Sequence, residues 1–589
     1  MPPKKNTSKS QNPTPLPPAL AQAVQASRAA LSRGDLAGAD RLLASVKARV
    51  PAHPDVLATS VDVAMARGDA DGALAPATMA RDLGHEGSHA RLARVLVAMG
   101  SIDDAIGVLT PEAERSIQGA HDLLMLQLHT DRLVEAIATT RHMLDLDPAN
   151  IAAMHARASA TLKLGRAEEA LGHIREAVDA DPNSVPLAQL HAFITNYVPS
   201  MTPKDVRDAH TRFGTLLAQG QPPMRPAHPR PDTPRRLGFL SADFFEHSVS
   251  YFLLPLLEGL DKDRFDIVLL SITRRHDATT LRFRELATEW VDLSRLPTEQ
   301  ALSMIHAARI DVLVDISGLT AGSRPDLLAQ APAHHCLSYL GYPASTGISR
   351  VHARIGDSIT DPPGTDDRVL RLDPCFLTYQ PPRNIPIARR ERAPGDGITF
   401  GSFNALAKTN DEVLAVWARV LNAVPNSRLV LKNPGLRQAS CRVDVSNRLI
   451  RAGLDPSRVD LLPPAPTVRE HLDTYSRIDI ALDTFPYAGT TTTCEALLMG
   501  VPVITLAGDR HAGRVGASIG ADEPGRIFVT HSPDTVVHCV TRILSGERLV
   551  LHRDQPTHSS NAQTQHPSHV HYATTWIEQV RHSWLDDPA

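Results

Sequence analysis

With 589 residues the chain is too long for one hydrophobic core and predicts about three or four domains of roughly 100–200 residues each. A net charge of −4 with no strongly basic domain excludes a protein that works by neutralising nucleic-acid phosphates. Five cysteines without a C-x-x-C pair exclude a disulfide framework or zinc cluster, and the lack of a long apolar run or of an apolar segment near the N-terminus predicts a cytoplasmic protein with no membrane span or secretory signal.

Residues 1–19 are rich in Pro, Ser, Asn, Gln and Lys and are predicted to be disordered. Residues 20–198 repeat. G-D-L-A-G-A from Gly34, G-D-A-D-G-A from Gly68, G-S-I-D-D-A from Gly100, D-R-L-V-E-A from Asp131 and G-R-A-E-E-A from Gly165 follow one another at steps of 34, 32, 31 and 34 residues. The period, with a turn residue, an alanine at the helix crossing and a proline closing the second helix at Asp147–Pro148 and Asp181–Pro182, resembles the tetratricopeptide repeat. One such helix pair cannot bury its apolar face alone, so neighbours stack into a superhelix whose groove suits an extended peptide; a purely structural solenoid would show the same pattern.

Residues 199–234 hold a Pro-rich linker, Gly220–Pro234. Short apolar strands then alternate with helices: Arg236–Ala242, Phe265–Thr273, Asp311–Ser317 and Cys336–Gly341 in residues 235–390, with a helix over Leu302–Arg309 among them. In residues 391–545 the strands are Ile398–Asn404, Arg428–Lys432, Ile478–Asp483 and Val501–Leu506. This alternation predicts two parallel sheets with crossover helices, hence two Rossmann-like domains facing a cleft.

Ligands of such sheets bind beyond the carboxyl ends of the strands. In the loop after Ile478–Asp483, Gly489 permits close backbone approach, and Thr490, Thr491 and Thr492 stand at a helix N-terminus, where amides and dipole favour an anion. Plain helix capping would use the same threonines. Glu495, one turn on, suits ribose hydroxyls or solvent. Lys408 ends the loop after Ile398–Asn404, just before a capping-box pattern of Thr409 and Glu412, and can reach a diphosphate or remain a surface lysine. In the first block, His247 follows the first strand; it can act as a general base or only contact substrate, with Asp243 either orienting it or capping a helix. Asp-x-Asp triplets fall in the repeats or, at Asp261–Asp263, at the amino edge of a strand, so no metal site is expected.

Five segments together resemble the SPINDLY-type proteins and the related protein O-GlcNAc transferases: S-A-D-F-F-E-H-S-V-S-Y-F (Ser241–Phe252), L-G-Y-P-A-S-T-G (Leu340–Gly347), F-G-S-F-N-A-L-A-K (Phe400–Lys408), V-W-A-R-V-L-N-A-V-P-N-S-R-L (Val416–Leu429) and L-D-T-F-P-Y-A-G-T-T-T-T-C-E-A-L-L-M-G-V-P (Leu482–Pro502). The resemblance implies a TPR α-solenoid followed by a GT-B glycosyltransferase, inverting and metal-independent. Its co-substrate would be UDP-GlcNAc or GDP-fucose, and its acceptors Ser or Thr hydroxyls of proteins held by the repeats, with self-association left open. By position it implies that Lys408 contacts the diphosphate, that Asn404, Gly489 and Thr490–Thr492 bind the donor, that Glu495 meets the ribose, that His471 lies near the base, and that His247 is the histidine once regarded as the base. Leu319 departs from the His or Tyr of relatives, and residues 546–589, polar over Gln555–Tyr572 before Ala573–Val580, depart from the expected closing helices. Two other readings stay open: a repeat scaffold with a decayed transferase domain, and a GT-B enzyme acting on a glycan or lipid.

Overall fold

A computed structural model describes residues 15–226, 235–364, 368–381, 397–523 and 525–545. Most of the N-terminal segment expected to be disordered, the end of the Pro-rich linker, the boundary expected at 390/391 and the whole of 546–589 lie outside the described residues. The first helix, Pro18–Ser32, starts inside the stretch read as disordered, with Pro18 in its first turn, where a missing N–H costs nothing. Among the described residues no helix is long and apolar enough to cross a membrane.

The chain divides into two compact units, Met1–Ala153 and Met154–Ala589. The first is a run of paired helices, from Pro18–Ser32 and Leu36–Lys47 to Ile117–His129 and Leu133–Leu146. Its core is aliphatic, with Val24, Leu43, Val46, Val56 and Val63 in one cluster and Val61, Ala77, Leu92 and Val95 in the next. The second helix of each pair begins two residues after the repeated turn position, at Leu36, Ala70, Ile102, Leu133 and Ala167. That position is left-handed every time: φ is 78° at Gly34, 74° at Gly68, 80° at Gly100, 54° at Asp131 and 81° at Gly165. Asp131 holds the conformation without being glycine, as aspartate does more readily than most residues. Five residues further on, Ala39, Ala73, Ala105, Ala136 and Ala170 are fully buried, in keeping with the alanine of the repeat pattern.

The division falls inside the repeats and not at the Pro-rich stretch. The reason is the packing of the last helices: the guanidinium of Arg448, 2% exposed, donates to the carbonyls of Leu164, Gly165 and Thr409 at 2.7–2.9 Å. A side chain at Gly165 would meet the Leu406 carbonyl oxygen at 2.5 Å. Residues 154–218 therefore belong with the sheets.

Two all-parallel sheets follow. The first comprises β1 Arg235–Ser241, β2 Phe265–Ser271, β3 Glu289–Asp292, β4 Val312–Asp315, β5 His335–Ser338, β6 Ala353–Gly356 and β7 Val369–Arg371, in spatial order β3-β2-β1-β4-β5-β6-β7. The second comprises β8 Thr399–Ser402, β9 Arg428–Lys432, β10 Val459–Leu462, β11 Ile480–Leu482, β12 Val503–Leu506 and β13 Ile527–Thr530, in order β10-β9-β8-β11-β12-β13. Both orders reverse direction once, between β1 and β4 and between β8 and β11, and that switch point is where an open sheet offers a crevice. β3, β6, β7 and β10 carry no run of three apolar residues, and three of them, β3, β7 and β10, are sheet edges. The helix read over Leu302–Arg309 spans Thr298–Ala307.

Candidate active site

The two loops at the switch point of the second sheet meet. After β8 the chain makes a short turn, Leu406–Lys408, before the helix Asp411–Ala423. The cap of that helix is Asn410, one residue later than the Thr409–Glu412 pattern predicts. Asn410 Oδ1 accepts from Val413 N–H at 3.0 Å, while its amide nitrogen donates to the Phe485 carbonyl at 2.6 Å. The cap is thus also a tie between the two loops, which a sequence-local pattern cannot reveal.

Half-buried Lys408 reaches across to the loop after β11. Its Nζ donates to the Ala488 carbonyl at 2.8 Å and lies 3.9 Å from the centre of the Tyr487 ring. Burial lowers its ammonium to about 8, against the opposing pull of the Asp483 carboxylate. Asp483, buried at the end of β11, organises the turn: Oδ1 accepts from the Thr484 and Gly489 amides at 2.8 and 2.7 Å, and Oδ2 from Thr505 Oγ1 at 2.8 Å. Its burial raises its carboxyl above the usual carboxylate range.

Asn404 closes the cluster. Its amide nitrogen donates to Asp483 at 3.3 Å, and its carbonyl oxygen accepts from Thr492 Oγ1 at 2.9 Å. A Cβ at Gly489 would lie 2.6 Å from Thr492 Oγ1 and 3.0 Å from Asn404 Oδ1, so the turn has room only for glycine. Thr490, the N-cap of the helix Thr491–Leu498, makes no side-chain cap bond, so its hydroxyl does not perform the plain capping role.

Glu495, one turn into that helix, is buried and shared. Its Oε2 accepts from Tyr475 Oη at 3.0 Å and lies 2.9 Å from His471 Nε2, which donates to it. Lys432, 4% exposed at the end of β9, donates to the His471 carbonyl at 2.8 Å and stands 4.4 Å over the Phe403 ring; burial lowers it to about 8. Phe403 in turn packs on Tyr475 at 4.6 Å between ring centres. The structure thus joins Lys408, Asn404, Gly489 and Thr492 in one contact network and His471 with Glu495 in the next.

His247 stands apart from both. Its Nδ1 accepts from the Val249 amide at 3.3 Å and is 3.9 Å from Asp243, beyond hydrogen-bond reach. Asp243 therefore does not orient the ring through a hydrogen bond, and the following helix, Ser250–Gly259, begins at Val249, whose apolar side chain makes no cap bond. With Nδ1 accepting, a neutral ring carries its proton on Nε2. One turn later burial raises the Tyr251 phenol, with the Glu246 and then the Glu495 carboxylate adding to the effect, so Glu495 lies within electrostatic range of this loop. Asp261 and Asp263 form the turn before β2, at the amino edge of the sheet.

The residues that the sequence reading missed are Asp483, Tyr475, Lys432 and Phe403. Asp483 was visible as the acid ending a strand before a glycine turn, and Tyr475 as the residue one helical turn after His471. Nothing local marks Lys432.

A protein-family model described as Glycosyl transferase family 41 matches residues 221–369 and 376–522. The Arabidopsis thaliana protein named probable UDP-N-acetylglucosamine–peptide N-acetylglucosaminyltransferase SPINDLY is 39% identical over 357 residues, covering 58% of this chain and 38% of that protein. The Oryza sativa subsp. japonica protein of the same name is 38% identical over 355 residues, with the same coverage of 58% and 38%. This chain thus spans less than two fifths of the length of these relatives. Among solved structures, a mutant of the O-GlcNAc transferase of Thermobaculum terrenum is similar at 25% identity and a TM-score of 0.70, covering 92% of this chain and 95% of that one.

Proposed function

The chain belongs to glycosyl transferase family 41, and from that premise we propose that it is a protein O-glycosyltransferase drawing on a nucleotide sugar. The observation that carries this reading is the convergence of the Lys408 ammonium and the amino end of the helix Thr491–Leu498 at the switch point of the second sheet. A diphosphate placed there meets a fixed cation, the Gly489 turn and the hydroxyls of Thr490 and Thr491, with Thr492 held by Asn404. These groups stabilise the charge that grows on the departing nucleoside diphosphate, which is where electrostatic help lowers a barrier.

Glu495 meets the ribose hydroxyls, held in place by Tyr475 and His471, and the Phe403–Tyr475 pair supplies an apolar wall. His247 presents a proton on Nε2 and acts as a hydrogen-bond donor to substrate in this tautomer, not as the base. The acceptor Ser or Thr hydroxyl attacks the anomeric carbon from the side of the first sheet, its proton passes to solvent or phosphate, and the configuration inverts. Lys408 and the helix end supply the positive charge that a divalent ion supplies in other transferases. The repeats supply binding for the protein acceptor.

The names of the relatives and of the similar structure support N-acetylglucosamine as the sugar; GDP-fucose, implied by the likeness to the SPINDLY branch, is the competing donor. Incubating the protein with an acceptor proteome and either labelled UDP-GlcNAc or GDP-fucose, with and without EDTA, tests the proposal. Labelled Ser or Thr from one donor, undiminished by EDTA and lost in Lys408→Ala, is the expected result. Transfer by Lys408→Ala at the parental rate refutes the role of the lysine, and label confined to glycan or lipid refutes the protein acceptor.

A further inference from the structure

The loop that receives Lys408 does not stand by itself. The Ala488 amide donates to the Ala512 carbonyl at 2.9 Å, and Gly513 approaches the Pro486 carbonyl so closely that a Cβ there would sit 2.8 Å from it. The segment Gly508–Gly513 therefore forms the floor of the Pro486–Gly489 turn. This floor is clamped from outside the second sheet. Nδ1 of His511, the first residue of the helix His511–Ile519, bonds Asp361 at 2.8 Å, and Asp361 also accepts from Arg354 at 2.6 Å; Asp361 and Arg354 both belong to the first sheet and its loops. All three are buried. Arg510 donates to the carbonyls of Thr195 and Met201 beside the last helices, and Arg514 to that of Ile359.

We infer that His511 is a positioning residue: its bond to Asp361 sets the Ala512 carbonyl, hence the Ala488 peptide, and hence the place at which Lys408 is held for the diphosphate. His511 bonds neither Lys408 nor the threonine turn, so its action runs through two hydrogen bonds, from the Ala488 amide to the Ala512 carbonyl and from the Lys408 ammonium to the Ala488 carbonyl. The first sheet thereby contributes to the shape of a donor site built wholly of residues from the second. A merely structural histidine at this junction would support the fold without a preferred effect on Lys408.

The inference rests on the proposed donor site, and a double-mutant cycle separates the two. Calorimetric binding of UDP and of GDP is measured for the parent, Lys408→Ala, His511→Ala and the double variant, each verified as folded by thermal melting, together with turnover for His511→Asn, whose amide can donate to Asp361 from about the place of Nδ1. The expected result is that His511→Ala weakens the diphosphate that the parent binds by about tenfold, that the double variant binds within about threefold of Lys408→Ala alone, and that His511→Asn recovers most of the parental turnover. A His511→Ala variant that binds as tightly as the parent, losses that multiply in the double variant, or an Asn variant no better than Ala each overturn the inference while leaving the donor site standing. A parent that binds neither diphosphate overturns the donor site and the inference together.

Discussion

The Lys408 ammonium lies 3.9 Å from the centre of the Tyr487 ring, with the Ala488 carbonyl 2.8 Å away as its hydrogen-bond acceptor. The cation is thus held by an aromatic face and a main-chain oxygen, and among the described residues no carboxylate is directly bonded to it. That arrangement leaves its charge uncancelled for an incoming phosphate, and its burial is why it titrates at about 8.

A falling alkaline limb in kcat/KM follows. Below pH 8 the free enzyme carries the charged lysine, and as pH rises through about 8 the charge and the transfer are lost together. Lys432 titrates in the same range. Lys408→Arg, which cannot lose its proton, is expected to remove the limb at an activity cost of about tenfold or more, whereas Lys432→Met keeps it. A limb that survives at the same pH in Lys408→Arg, measured in turnover and in diphosphate binding, rules Lys408 out as its source.

Lys432 also has a stability signature. Its folded value lies below the ordinary lysine value, so between about pH 8 and 10.5 the unfolded chain holds a proton that the folded chain has released, and stability rises with pH across that window. Below pH 8 the buried charge is a constant cost. Lys432→Met is therefore expected to stabilise by about 1–2 kcal/mol at pH 7 and by less at pH 10, read by denaturant titration at the two pH values.

Gly489→Ala is expected to weaken diphosphate binding by at least about tenfold, because in this buried turn the new methyl displaces Thr492 Oγ1 and Asn404 Oδ1. Isothermal calorimetry of the folded variant decides it, and unchanged affinity would exclude the turn from the donor site.

Glu495→Ala should penalise ribose and spare its absence. Relative to the parent, about tenfold is expected to be lost for UDP or GDP and little for the corresponding 2′,3′-dideoxynucleotide, since the carboxylate's remaining partners, Tyr475 and His471, are protein groups. Equal losses for both nucleotides would show that Glu495 supports the fold and not the sugar.

Arg448→Ala strips donors from three buried carbonyls, those of Leu164, Gly165 and Thr409. A destabilisation of about 3 kcal/mol is expected, with lysine at this position recovering only part of it because it lacks the guanidinium fork. Chemical denaturation of the two variants measures the difference.

Much of this was legible in the chain itself. The turn column from Gly34 to Gly165, the buried alanines five residues on, the alternation of strand and helix and the loops holding Lys408 and Thr490 are all local patterns, and local patterns survive in sequence because one period or one turn requires particular residue types at adjacent positions. The short strands β3, β7 and β10 were not legible: they are partly exposed and mix charged with apolar residues, so no run marks them.

The amino-acid order determined which segments become helix, strand and anion-friendly turn. Tertiary structure alone decided which of those segments touch. Lys408 meets Ala488 80 residues away, His511 meets Asp361 at 150 and Arg448 meets Leu164 at 284. Such pairings come from sheet order and from the burial of shared apolar faces, and neither leaves a trace in the spacing of neighbouring residues; the placement of the cap on Asn410 and the partnership of Lys432 with His471 belong to the same class.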